Sequence, residues 1–228
     1  MTRTSLSLQR LWLVGAVILP AWTLGFAGYK VHPWKPRALE TYAARQSSQG
    51  LTIAIDPLFR DPMAAQVFDK DDIVSRGIMP LAVVVFNDND FAVHINSAAI
   101  ELIQDDDHAR TQEPQDFVPM LFKKTGSRVA IPVPVPRSPV PRGTASSANP
   151  SNEPLADFDS KALGDKTIGP RSTVGGFLYF RVPQAKNLPE QLSRATLYIP
   201  DISRVDNGGR LMYFEIELKP AILAAPAK

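Results

Sequence analysis

The sequence predicts an all-β sandwich of about seven strands, on three observations. Short apolar runs with period-two alternation recur along residues 51–218, separated by turn residues. No long amphipathic helix and no alternation of strand and helix patterns interrupts them. Residues 168–182 (IGPRSTVGGFLYFRV) carry Phe177, Leu178, Tyr179, Phe180 and Val182, apolar on both faces, as for a strand inside a sheet packed on each side. Gly169 and Pro170 mark the turn before it. Gly175 and Gly176 allow a bulge or a close approach of backbone.

In chain order, residues 1–10 form a short basic region with Arg3 and Arg10. Residues 11–29 carry no charge, and 19 residues span roughly the thickness of a bilayer core as a helix. Trp12 lies near one end of this run. Trp22, Phe26, Tyr29 and Trp34 lie towards the other, as an interfacial aromatic belt does. The run reads as an uncleaved transmembrane signal anchor, with the amino end in the cytoplasm. The alternative is a signal peptide cleaved near Ala27. Residues 30–50 read as a connector with a short helix over 38–46. Residues 219–228 read as a tail.

The folded domain begins with residues 51–59 (LTIAIDPLF), where Leu51, Ile53 and Ile55 alternate with Thr52, Ala54 and Asp56. Residues 60–76 look polar and irregular. Residues 78–87 (IMPLAVVVFN) form a buried strand, with Leu81, Val83 and Val85 on one face and Val84 and Phe86 on the other. The turn Asn87-Asp88-Asn89-Asp90 leads into a return strand over 91–103, which predicts a hairpin. Residues 115–123 suggest a short helix or an irregular apolar turn, residues 155–163 a short helix, and residues 183–191 a polar turn. Residues 195–199 (ATLYI) and 211–218 (LMYFEIEL) are strands joined through the turn Asp206-Asn207-Gly208-Gly209. In the last strand Met212, Phe214, Ile216 and Leu218 point inward and Glu215 and Glu217 outward.

Composition narrows the function classes. The chain has 228 residues, 44% of them hydrophobic, enough for one domain with a real core. With 25 basic and 23 acidic residues interspersed along it, the chain has no footprint for nucleic acid. The absence of cysteine excludes disulfides, thiolate catalysis and cysteine zinc sites. Its three histidines, His32, His94 and His108, show no zinc-hydrolase spacing. There is no nucleophile elbow, phosphate loop or dinucleotide fingerprint, so no cofactor and no catalytic residue is assigned. Asp88 and Asp90 are the one calcium candidate, because that turn supplies hard oxygen donors. The same residues serve any tight turn, and a plain turn is the preferred reading. Asp105-Asp106-Asp107-His108 reads as a solvated loop.

The 21 prolines are about twice the usual share. Seven fall in residues 131–154, at 132, 134, 136, 139, 141, 150 and 154, which reads as an extended insertion. Within it Pro132, Pro134, Pro136, Arg137, Pro139, Pro141 and Arg142 form a polyproline II segment of the kind that partner proteins bind.

The anchor, together with PLAVVVFNDNDFAVHI, DFDSKALGDKTIGPRSTVGGFLYFRVP and ATLYIPDI followed by LMYFEIEL, resembles bacterial secreted or membrane-anchored immunoglobulin-like domains of unknown function. The likeness covers residues 51–218 apart from the insertion. It implies an immunoglobulin-like sandwich, an envelope location and non-enzymatic behaviour, and supplies no catalytic residues. The combined expectation is a single-pass protein of the bacterial inner membrane, with its C-terminal domain in the periplasm as an interaction or structural module. The competing class is an extracytoplasmic calcium-dependent binder or carboxylate enzyme.

Overall fold

Eleven strands in three antiparallel sheets, with five short helices, make up the computed structural model, which describes residues 28–123, 152–183 and 187–226. The charge-free run up to Ala27 and the polyproline residues 132–142 lie outside the described residues. No helix among the described residues is long and apolar enough to cross a membrane.

Along the chain, β1 (Ala44–Ser48) and β2 (Leu51–Pro57) form a hairpin, followed by α1 (Asp61–Ala64) and β3 (Ile78–Asn87). Then come β4 (Val93–Ile95), β5 (Glu101–Gln104), β6 (Asp107–Arg110) and α2 (Pro114–Leu121). After α3 (Glu153–Lys161) lie β7 (Lys166–Ile168) and β8 (Ser172–Arg181). The chain ends with α4 (Leu188–Leu192), β9 (Thr196–Ile199), β10 (Ile202–Arg204), β11 (Phe214–Glu217) and α5 (Lys219–Ala224). The sheet orders are β1-β2-β3-β8, β10-β4-β7 and β11-β9-β5-β6.

The first sheet is buried on both faces. Ile53, Ile55, Leu81, Val83 and Val85 join the main core, while Ala54 and Val84 pack on the other face with Tyr42, Trp34, Leu39 and Phe86. The two faces of β3 are the ones its period-two pattern predicts. That second face is covered by the segment predicted to be a connector. Instead of a helix over 38–46, there is a three-residue 3₁₀ turn (Leu39–Thr41) and then β1. Gln49 and Gly50 both have positive φ, 48° and 72°, so a tight two-residue turn closes the β1–β2 hairpin and holds β1 in register. The strand ladder overrides the helix propensity of this stretch.

Other predicted features fall differently. β3 does not pair with the strand after the Asn87–Asp90 turn. It pairs with β2 and β8, and β4 pairs with β10 and β7. β8 is buried through Phe177–Phe180 as predicted, but it is the last strand of its sheet, extended only by isolated bridges from Thr111 and Ala162. The stretch 60–76 carries α1 and the fully buried Phe68 and Ile73. The turn at 183–191 contains the start of α4, the insertion ends in α3 with Pro154 buried, and the tail forms α5 with Ala221 and Ile222 buried.

β3 and β8 stay in continuous register through Gly175 and Gly176, so there is no bulge. These glycines serve close approach. A Cβ on Gly176 would stand 2.6 Å from the Leu163 Cα, and one on Gly175 would stand 2.8 Å from the Pro36 ring. Gly176→Ala is therefore expected to cost about 1–3 kcal/mol, read as a lower urea midpoint. Gly175→Ala meets only side chains and should cost less.

Candidate functional site

Two polar constellations rise from this framework. The first is a cleft of about 440 Å³, walled by Trp34, Arg37, Tyr42, Asp56, Met63 and Ala221 among others. The segment leading into β1 makes one wall, β2 the floor, and α1 with α5 the far side. The Arg37 guanidinium reaches Asp56 Oδ2 at 2.6 Å and lies 4.9 Å from the Tyr42 ring centroid. The Arg37 backbone N–H donates to the Tyr42 hydroxyl at 2.9 Å. Burial pushes the Asp56 carboxyl above its ordinary range, with Arg37 opposing the shift. Thr41 supplies the one hydroxyl not on an aromatic ring, and it donates to the Ala38 carbonyl at 2.7 Å. The cleft therefore offers a charged pair, an indole, a phenol and small apolar groups. That set suits recognition of a mixed polar and apolar surface; it holds no activated nucleophile.

The second constellation is buried. Asp157 and Lys161, one turn apart on α3, form an ion pair at 2.7 Å, with side chains 0% and 8% exposed. Lys161 Nζ also donates to the Val67 carbonyl at 2.8 Å and sits 4.9 Å from the Phe68 ring centroid. The Tyr29 hydroxyl donates to Asp157 Oδ2 at 2.7 Å, across 128 positions of sequence. Asp157 Oδ1 has no partner among the described residues. Around this pair Phe68 stacks on Phe158 at 4.2 Å, and Phe117, Phe177 and Tyr179 close the aromatic cluster. The pair fastens α3 to the stretch after α1 and to the chain at Tyr29.

Burial, and then the bond to Asp157, drive the Tyr29 hydroxyl far above the ordinary phenol range; burial does the same to Tyr179. Both keep their protons in the folded state at pH values where an unfolded tyrosine, near pH 10, has lost its own. Stability from these two groups is fully present below about pH 10 and is lost as pH rises beyond it. A fall in stability from about pH 10 upward, smaller in Tyr29→Phe, is the expected result of urea melts across alkaline pH.

The sequence-predicted residues do not assemble a site. Asp88 and Asp90 are exposed in their turn. The Asn87 carboxamide between the strands is already engaged: its Nδ2 donates to the Phe91 and Gly169 carbonyls, each at 2.9 Å, and its Oδ1 accepts from the Asn89 N–H at 3.1 Å. Among the described residues no group of three or more histidines and carboxylates is placed to hold a metal. Asp105 and Asp106 form the β5–β6 turn, and His108 pairs with Glu101 at 2.9 Å on the exposed face of that hairpin. His94 is half-buried on β4. Tyr29 and Trp34, predicted as part of an interfacial belt, pack on the domain instead: Tyr29 meets Phe122 at 5.6 Å and Trp34 meets Phe177 at 4.7 Å. Arg37, Tyr42 and Asp56 carried no sequence signal, because the cleft exists only once the connector folds back. The Asp157–Lys161 pair had one, the i,i+4 spacing on a predicted helix.

Residues 124–151 stand between α2 and α3 in the sequence, and these two helices pack together through Phe117 and Phe158 at 5.7 Å. Deleting residues 132–150 should therefore leave the urea midpoint nearly unchanged; a large drop would make the segment part of the core.

No family model and no curated protein matches the chain. Among solved structures, the yjhA protein of Bacillus subtilis is similar at 12% identity, over 69% of this chain and 79% of its own, with a TM-score of 0.35. The "putative lipoprotein" ycdA of Bacillus subtilis is similar at 13% identity over 78% of this chain, with a TM-score of 0.36. The match spans 39% of ycdA's length. At such scores neither protein transfers an activity to this chain.

Proposed function

We propose that this protein is a membrane-anchored, extracytoplasmic β module without catalytic activity, which binds a protein partner of the cell envelope through the Arg37–Asp56 cleft. The observation that carries this reading is the course of the chain after the charge-free run. Residues 29–42 lie on the domain, held by Tyr29–Asp157, by the Lys30 N–H to Asp69 at 2.7 Å and by Arg37–Asp56, and they build one wall of the cleft. The binding surface thus begins directly after the run read as the anchor. The first and third sheets, sharing one apolar core, support a sandwich-like relation to immunoglobulin-like domains as part of the same proposal.

The test is a photo-crosslinking amino acid at position 41, on the cleft wall, in the full chain in its native cells. The expected result is a discrete adduct in the membrane fraction, lost when Ala224→Trp fills the cleft. A membrane-bound chain that gives no adduct at 41 contradicts the proposal. Millimolar calcium is expected to leave the melting temperature unchanged. A rise abolished by Asp88→Ala and Asp90→Ala would favour the calcium-dependent class instead.

A further inference from the structure

Tyr29 is fixed to the body by Asp157 and Phe122, so only Gly28 separates the charge-free residues 11–27 from the folded domain. As a helix those residues cover roughly 26 Å, at the short end of what crosses a hydrocarbon core. Were that run the anchor, Tyr29 would stand two residues from it, which would bring the surface around Tyr29 towards the bilayer. Phe122, which Tyr29 touches, directly follows α2. Met120 lies two residues before Phe122, near the end of α2.

At that place a groove of about 250 Å³ opens between α2 and the first sheet, lined by Arg76, Ile78, Phe117, Met120, Leu121 and Arg181. Its floor is apolar. Met120 is 50% exposed, and Val31, two residues beyond Tyr29, is 63% exposed. Arg76 pairs with Asp72 at 2.7 Å and reaches the Met120 carbonyl. Arg181 bonds only a neutral acceptor, Gln112 Oε1 at 3.3 Å, and has no carboxylate partner among the described residues. Lys30 and Lys123 are exposed beside Tyr29 and Phe122. The exposed acids on the same stretches are Asp71, Glu113, which follows Gln112, and Asp116, one turn ahead of Met120; Asp69, half-exposed, accepts from the Lys30 N–H.

We propose that this groove seats an anionic phospholipid at the surface of the bilayer that holds the run. The Arg181 guanidinium faces the lipid phosphate, with Arg76 at the rim, and Met120 and Val31 enter the interface. The inference rests on the membrane-anchored reading above. A planar guanidinium beside apolar side chains matches a phosphate above the start of acyl chains. Basic residues held within a Debye length of an anionic leaflet are drawn to it.

The chain has no cysteine, so Met120→Cys and Tyr213→Cys each accept a single environment-sensitive fluorophore. Tyr213 is exposed next to β11, away from the groove residues. The full chain is placed in nanodiscs of phosphatidylcholine with or without phosphatidylglycerol, and quenching by lipids spin-labelled near the headgroup is read. The expected result is a blue-shifted, quenched label at 120 and a water-exposed one at 213, with stronger quenching when phosphatidylglycerol is present. Arg181→Glu should weaken that quenching by more than roughly fivefold, the factor for loss of one basic residue at an anionic surface, because it also adds a negative charge. A label at 120 as exposed as the one at 213, in discs that hold the chain, overturns the inference and leaves the anchor reading standing. Quenching indifferent to phosphatidylglycerol and to Arg181→Glu overturns the phosphate assignment. Protection at 120 in native membranes but not in pure lipid discs overturns it in favour of a protein on the groove. A chain that does not enter the discs overturns the anchor reading and this inference with it.

Discussion

Asp157→Ala is expected to destabilise the protein by about 3–5 kcal/mol, because it leaves a buried ammonium without its counter-charge. Lys161 would keep the Val67 carbonyl and the Phe68 ring face, while its side chain is 8% exposed and has no ready access to water. The Tyr29 hydroxyl loses its acceptor in the same substitution. Tyr29→Phe alone should cost about 1.5–3 kcal/mol, as for a hydrogen bond to a charged group. It should cost almost nothing in the Asp157→Ala background, and a double-mutant cycle by urea denaturation measures that coupling. Replacing both charges, with Asp157→Leu and Lys161→Met, should recover most of the loss, since breaking a buried pair is worse than removing it. A loss below about 1 kcal/mol for Asp157→Ala would mean that water reaches the pair and that it behaves like a surface bridge.

Phe68→Ala is the second large expectation, at about 3–5 kcal/mol. The ring is fully buried, stacks on Phe158 at 4.2 Å and meets Phe177 and Tyr179 edge-on or tilted at 5.4 and 6.1 Å. It also carries the ring face that Lys161 uses. Removing it opens a cavity at the junction of α3, β8 and the stretch after α1. Against a usual total of roughly 5–15 kcal/mol, this is a third or more of the stability of an ordinary domain. Phe68→Leu should recover part of it by keeping volume. If Phe68→Ala unfolds at the same urea concentration as the natural chain, residues 60–76 are a surface loop after all.

The contrast between these two sites marks how far the sequence alone could be read. Strand faces were legible wherever one residue's neighbours decide the matter: Val83 and Val85 against Val84 and Phe86 on β3, or Phe214 and Ile216 against Glu215 and Glu217 on β11. So was α3, expected as a short helix over 155–163 and found at Glu153–Lys161. Pairing was not, because a strand's partner is chosen by distant apolar area and not by the nearest turn. The Asn87–Asp90 turn looks like a hairpin, yet Asn87 bonds to the Gly169 carbonyl and β3 takes β8 as its neighbour. Phe68 sits just before Asp69, Lys70, Asp71 and Asp72, so local composition reads as solvent-exposed. Its burial follows from aromatic rings contributed by α3 and β8. The cleft was illegible for the same reason: Arg37 and Asp56 are 19 positions apart, and only the return of the connector over the first sheet brings them together.

The central claim is that the charge-free run stays attached and holds the domain at a membrane. Mass spectrometry of the N-terminus, on protein recovered separately from the membrane and soluble fractions of its native cells, tests it most directly. An intact residue 11–27 stretch is expected in the membrane fraction. A soluble protein beginning near Gly28 would contradict it, since Tyr29 would then stand next to a free amino terminus and the domain would act away from the bilayer.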